Sequence, residues 1–228
     1  ASKTLTVERG YGGSTATSHT SGAIITLQPR FPRAQMFDAV NAELDDLSST
    51  ANGLFRVVTT DLTYNGSDRQ LNIASSGSII ELLDVRLRYL ADDFPVIHGV
   101  RLQTGLPTTD FASGNTIVFD EPVMAGTIRV RYKAPFVRAT AESSDLTTNC
   151  FLPTTCDDIV EMGVVLRLMA GREIKRNFTE SQGDTRRSDE VPAGAVLGSV
   201  ANIQRLRRER VIAEAARLKA QYPIKFRK

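Results

Sequence analysis

Hydrophobic positions along this chain change period twice. Between residues 33 and 50, Met36, Phe37, Val40, Leu44 and Leu47 recur at the spacing of one helix face, while Gln35, Asp38, Glu43 and Asp45 occupy the other. Phe31-Pro32 opens this segment, because proline suits a first helical turn whose N–H groups lack partners anyway. Asn52-Gly53 closes it, since both residue types tolerate the left-handed conformation that ends helices.

From Phe55 the period becomes two. Val85, Leu87 and Tyr89 alternate with Arg86 and Arg88, and Ile128, Val130 and Tyr132 alternate with Arg129, Arg131 and Lys133. Further strands are expected at 55–62, 69–74, 78–83, 96–103 and 116–119. Asn65-Gly66, Ser76-Gly77, Ser113-Gly114-Asn115 and Ala125-Gly126 supply the turns. Six or seven short antiparallel strands with this punctuation predict a small β-sandwich whose exposed tip is the loop at 104–115.

Helical pattern returns after Pro153. Asp157 and Asp158 fall in a first turn, where the helix dipole favours acids, and the helix expected at 159–176 is apolar on several sides. Gly163 and Gly171 each cost it about 1 kcal/mol against alanine, for which close helix approach is the packing reason. A polar loop is expected at 179–191, and a last helix from about Pro192 to Gln221, ended by Pro223.

A single amphipathic helix is marginal until something covers its apolar stripe. The expectation is therefore an α+β fold, a helical bundle core with an inserted antiparallel β-sandwich domain. Its parts are a flexible N-terminal arm at 1–28, the first helix of the helical domain at 29–54, the inserted sandwich at 55–138, the remaining helices at 139–222 and a basic tail at 223–228. The arm is rich in Ser, Thr and Gly; it reads either as plain disorder or as a strand donor for a neighbouring subunit.

Composition narrows the class. A chain of 228 residues with 41% hydrophobic and 24% charged residues is that of a soluble globular protein, and no apolar run approaches a membrane span. The residues before Leu27 form no signal-peptide pattern. Two cysteines, Cys150 and Cys156, do not make a secreted disulfide framework and point to a reducing interior. The net charge of +2 hides a division, because residues 193–228 hold nine basic and two acidic residues, a balance of +7 that leaves −5 for the rest. Such a segment suits an acidic partner, nucleic acid or protein, unless it is simply a solvated helix face.

Catalytic constellations do not assemble. His19 and His98 are the only histidines and lie far apart, and the cysteines lack the second pair or nearby histidine that zinc needs. Gly10-Tyr11-Gly12-Gly13-Ser14-Thr15 has neither the lysine nor the preceding strand of a phosphate loop. The adjacent carboxylates Asp45-Asp46, Asp92-Asp93 and Asp157-Asp158 have ordinary places on a helix face, a turn and a helix start. No enzyme, metal or cofactor is expected; the work of this chain is contact.

The run Pro32-Arg33-Ala34-Gln35-Met36-Phe37-Asp38-Ala39-Val40-Asn41-Ala42-Glu43-Leu44, the strand Arg129-Val130-Arg131-Tyr132-Lys133 and the Arg-rich last helix, taken in that order, resemble the head-to-tail adaptor (connector) proteins of tailed bacteriophages. The resemblance spans the chain from about residue 29 and rests on architecture without an invariant motif. It implies a structural virion protein assembled in the host cytoplasm, a homo-oligomeric ring commonly of twelve copies. Its partners would be the portal, the next tail or neck component and the genomic DNA passing through the channel, with no membrane. Portal docking would fall to Arg205, Arg207, Arg208, Arg210, Lys225, Arg227 and Lys228, and tail-side contact to Thr104, Gly105, Leu106, Pro107, Asp110 and Phe111. The alternatives are another phage neck or tail structural protein, or a nucleic-acid-binding protein using the basic last helix.

Overall fold

A computed structural model describes residues 31–73, 78–88, 94–180 and 195–224. The expected arm, the Gly10–Thr15 stretch, His19, Asp92-Asp93, most of the 179–191 loop, and Lys225, Arg227 and Lys228 lie outside them.

Helix α1 spans Arg33–Leu47, with Pro32 in an extended conformation at its N-cap. Its end is set by Asn52, whose side-chain amide donates to the Asp46 carbonyl at 2.8 Å, and by Gly53 at φ +67. The chain then enters β1 (Arg56–Tyr64), followed by β2 (Gln70–Asn72), β3 (Glu81–Leu87), β4 (Val100–Thr104), β5 (Asn115–Phe119) and β6 (Gly126–Ala134). After a short 3-10 turn at Thr154–Cys156 come α2 (Asp157–Glu180) and α3 (Ala195–Gln221).

The strands form two antiparallel sheets of three, ordered β1-β6-β3 and β2-β5-β4. Strand β6 is central because both its edges find partners, β1 pairing from Arg56↔Ala134 to Tyr64↔Gly126 and β3 from Glu81↔Lys133 to Leu87↔Ile128. Its alternation then sorts the side chains. Ile128, Val130 and Tyr132 are buried with Phe119, Ile117 and Val100 of the other sheet. Arg129 and Lys133 meet Asp61 and Glu81 at 2.8 Å on the opposite face. Arg131 approaches Asp84 at 3.7 Å, and Asp84 also takes Arg86 at 3.1 Å. The pairs Arg129–Asp61, Lys133–Glu81 and Arg131–Asp84 are cross-strand pairs of opposite sign, each worth a few tenths of a kcal/mol to about 1 kcal/mol, while Asp84 and Arg86 pair along β3. The stretches 78–83 and 85–89, expected as separate strands, contribute to one element, β3, with a bulge between Leu82 and Asp84.

The fold class expected from the sequence is corrected here. Among the described residues, small antiparallel sheets with three helices form, two three-stranded sheets rather than a helical bundle core carrying an inserted β-sandwich. The physical reason is visible in the second apolar cluster. Leu44 and Leu47 of α1, Ile159 and Val160 of α2, and Val211 and Leu218 of α3 supply only part of it. Leu54, Phe55, Phe136, Ala139, Cys150 and Leu152, from strand ends and the 135–152 connection, supply the rest. With 15 residues, α1 is too short to complete a bundle and is covered by this connection instead. Asn41 exchanges hydrogen bonds with Ala139, accepting from its N–H at 2.8 Å, and Ser48 accepts from the Phe136 N–H at 2.9 Å.

Candidate interaction surface

Helices α1, α2 and α3 meet at a buried carboxylate. Glu43 lies in the middle of α1, and its side chain is 1% exposed. Arg167 of α2 donates from Nε to its Oε2 at 3.2 Å, and Arg207 of α3 donates from Nε to its Oε1 at 2.7 Å. Arg207 also reaches Asp46 at 2.5 Å, one turn along α1. A buried carboxylate without such partners would be strongly destabilising, so the two guanidinium groups are what allow Glu43 to be inside. Arg207 itself is only 15% exposed. Burial opposes its charge, yet the hydrogen bonds to Glu43 and Asp46 outweigh this and hold it above its ordinary value.

Gly163 explains how α1 comes this close. A Cβ at that position would fall on the Glu43 carboxyl carbon and both carboxylate oxygens, inside any permitted contact. The helix penalty of a mid-helix glycine is thereby exchanged for room to seat a charged group between α1 and α2.

Further along, α2 and α3 run antiparallel: Arg207 faces the Glu43 and Arg167 level, Arg210 the start of α2, and Glu214 the turn before it. Arg210 donates to Asp158 at 2.7 Å and to the Thr155 carbonyl at 3.0 Å. The Arg210 hydrogen bond is the chief cause that holds Asp158 below the usual carboxylate range. Thr155 donates its hydroxyl to the buried Glu214 at 3.1 Å, and Arg217 donates to the same carboxylate at 3.0 Å. Arg217 is the chief reason Glu214 is also held low.

These pairings redistribute the residues expected to dock. Arg207 and Arg210 are engaged with acids of the same chain and join helices together. Arg205 is exposed and pairs along its own helix with Glu209 at 2.9 Å, while Arg208 is exposed. Leu206 at 41% and Ile212 at 59% exposure lie on the same helix, and Val165 of α2 is 40% exposed. The surface that α2 and α3 offer is thus mixed, apolar residues with a few cations. Reasoning from the sequence missed Glu43, Asp46 and Arg167; the one signal for them was Gly163, a costly residue inside an otherwise apolar helix.

The loop expected as the exposed tip connects β4 to β5. Thr104, Gly105, Pro107 and Asp110 are exposed, and Leu106 and Phe111 are half-buried. The loop is held in shape by backbone bonds: Leu106 N–H to the Gly114 carbonyl at 3.0 Å and Phe111 N–H to the Pro107 carbonyl at 3.0 Å. Gly105 at φ +74 and Gly114 at φ +68 take the left-handed conformations that let the loop close. All six expected contact residues therefore lie at the end of β4 or in the β4–β5 connection.

Some of the remaining candidates for chemistry lie among the described residues. Cys150 and Cys156 are free and buried. Burial pushes both thiols up, Cys156 to about 12 with Glu214 adding to the shift, which disfavours the thiolate. Asp45 binds Arg138 at 3.0 Å, Asp46 binds Arg207 and Asp158 binds Arg210, so both members of the first pair and one of the last are engaged in ion pairs. His98 is exposed. Among the described residues no three His, Cys, Asp or Glu side chains converge as metal ligands, and no helix is long and apolar enough to cross a membrane. No protein-family model matches the chain, and no curated protein was found to match it.

Proposed function

We propose that this chain is a structural assembly protein that packs side by side with copies of itself, in the manner of the head-to-tail adaptors of tailed phages. In that role it joins a portal ring to the next tail or neck component around a DNA channel. The observation that carries the proposal is the exposed mixed surface of the α2–α3 pair. Val165, Leu206 and Ile212 remain accessible although the same helices bury Ile159, Val160, Val211 and Leu218. Helices that still present apolar side chains after their own core is complete are suited to further neighbours, and a repeated contact of this kind closes into a ring.

Within this proposal the exposed Arg205 and Arg208, with Lys225, Arg227 and Lys228 of the C-terminal tail, meet the acidic portal surface. Thr104, Gly105, Leu106, Pro107, Asp110 and Phe111 face the tail side. Arg207 and Arg210 are left out of the docking set because their charges are already committed within the subunit. The same pairings weaken the nucleic-acid reading, since Arg207, Arg210 and Arg217 have little charge left for phosphates.

Electron microscopy and native mass spectrometry of the purified chain, alone and mixed with a portal ring from a tailed phage that encodes it, test the proposal. A ring of defined copy number, free or formed on the portal, is the expected result. A monomer that ignores the portal at every concentration refutes it.

A further inference from the structure

Strand β1 leaves a long edge open. On its other edge lies β6, whose Lys133 carbonyl accepts from the Ile80 N–H and whose Thr127 carbonyl accepts from the Arg88 N–H, so both residues turn their backbone toward β3. Their opposites in β1, Val57 and Thr63, therefore point their own N–H and carbonyl groups away from the sheet, and by the two-residue period Thr59 and Asp61 do the same. Among the described residues nothing pairs with these outward groups, and Thr59, Asp61 and Thr63 are exposed. The far edge of β3 differs, because Leu87 donates to the Pro95 carbonyl at 3.1 Å and Ile97 to the Val85 carbonyl at 2.8 Å, which closes it.

An open edge is a template for another strand, and folded proteins ordinarily blunt it with lysine, proline, a bulge or a short length. Strand β1 uses none of these: it runs for nine residues without Lys or Pro, in unbroken register with β6. Its one acid, Asp61, is already paired with Arg129 at 2.8 Å. The strand is also complementary to itself. Two copies laid antiparallel about Thr60 set Val57 opposite Thr63, Val58 opposite Leu62, Thr59 opposite Asp61 and Arg56 opposite Tyr64. In that register each outward N–H meets an outward carbonyl, no like charges face each other, and a hydroxyl stands opposite the carboxylate. Val58 and Leu62, half-buried at the margin of the cluster that holds Ile128 and Tyr132, gain cover from their mates. Centring the pair on Asp61 instead would set two carboxylates face to face, so the charge pattern selects the register.

We propose that β1 is a dimerisation strand: a second copy of this chain pairs its β1 antiparallel to the first about a two-fold axis at Thr60. The two sheets then join in the order β3-β6-β1-β1-β6-β3. This contact uses neither the α2–α3 surface nor the β4–β5 loop, and the inference does not rest on the adaptor reading.

The test uses the full chain with the variants Thr60→Lys and Thr60→Glu. Each alone places like charges on the axis, and an equimolar mixture places opposite ones there. Sedimentation equilibrium should show the parent dimerising, each variant alone dimerising at least about tenfold more weakly, and the mixture recovering the parent's affinity, which a misfolded variant could not do. Amide exchange at Val57, Thr59, Asp61 and Thr63 should slow as protein concentration rises. A parent that stays monomeric, a dimer whose β1 amides exchange as in the monomer, or a mixture no tighter than its components overturns the proposal. Protection already complete in the dilute monomer overturns it too, because the edge is then covered from within its own chain. Rings whose β1 amides exchange freely uphold the adaptor reading and overturn this one; a β1-protected dimer that forms no ring does the reverse.

Discussion

Replacing Gly163 with alanine places a methyl carbon on the Glu43 carboxylate, and the outcome can be worked from the surrounding contacts. In an ordinary helix interior the change is favourable by about 1 kcal/mol, because alanine restricts the unfolded chain and suits the helix. Here the three atoms nearest the new carbon all belong to Glu43, which is almost wholly buried and held by Arg167 at 3.2 Å and Arg207 at 2.7 Å. The carboxylate must leave this position, and Arg207 then keeps only Asp46. Breaking a buried charge pair costs about 3–5 kcal/mol, so the net loss expected for Gly163→Ala is about 2–4 kcal/mol. Urea unfolding at constant slope measures it, the midpoint falling while the slope stays the same. The decisive arm is the same substitution in a Glu43→Ala background. With the carboxylate gone the methyl has space, and Gly163→Ala should now stabilise by about 0.5–1 kcal/mol, a reversal of sign. A Gly163→Ala protein as stable as the parent, or an equal loss in both backgrounds, would refute the account of the helix junction.

Arg207→Ala should cost about 3–5 kcal/mol in thermal or urea unfolding because it strands Glu43, whereas Arg208→Ala should stay within about 0.5 kcal/mol; equal effects would contradict their different burial. Glu214 is held below its ordinary value in the folded state, so it contributes stability that is complete above the unfolded carboxylate range and fades as pH falls through the folded value. The acid limb of a stability profile between about pH 5 and pH 2 should therefore be shallower for Glu214→Gln, and an unchanged slope would count against the Arg217 pairing. Phe151 occupies φ +60 with its ring under the Arg56 guanidinium at 4.7 Å. Phe151→Gly relieves about 1–2 kcal/mol of left-handed strain and loses about 0.5–1 kcal/mol of cation–π contact, so it should be more stable than Phe151→Ala; the reverse order in calorimetry would rule this out. Thiol-reactive reagents should label Cys150 and Cys156 only upon unfolding, and rapid native labelling would show the cluster to be open.

The strand block was largely legible, because the alternation of Ile128, Val130 and Tyr132 with Arg129, Arg131 and Lys133 has a period that only a half-buried strand satisfies. Helix positions were legible for a similar reason, the 3.6-residue repeat of Val40, Leu44 and Leu47 marking α1. Period gives the kind of element and its inward face, but it does not say which faces share a core. That is why the expected bundle dissolved: Phe55, Phe136 and Leu152 look like connection residues in sequence, yet they cover α1 and α2 as fully as any helix does. The junction was hidden more deeply. Glu43 belongs by spacing to a polar helix stripe, and nothing local distinguishes a solvated glutamate from one whose partners lie on other helices. The cations of α3 posed the converse problem, a charge run that reads as a docking surface until individual acids are found to hold Arg207 and Arg210.

Glu43 and Arg207 stand 164 residues apart, and this separation has a consequence for the newborn chain. At translation speeds of about 5–20 residues per second, the carboxylate is synthesised roughly 8–33 seconds before its guanidinium partner. For the first 124 residues after Glu43 neither guanidinium partner exists, and until Arg207 follows, Arg167 alone is available to the carboxylate. The sheets, whose strands all lie between α1 and β6's last residue, are complete in sequence first. Synthesis therefore imposes an order on this molecule, strands before helix junction, and makes α1 the part of the nascent chain most in need of a chaperone.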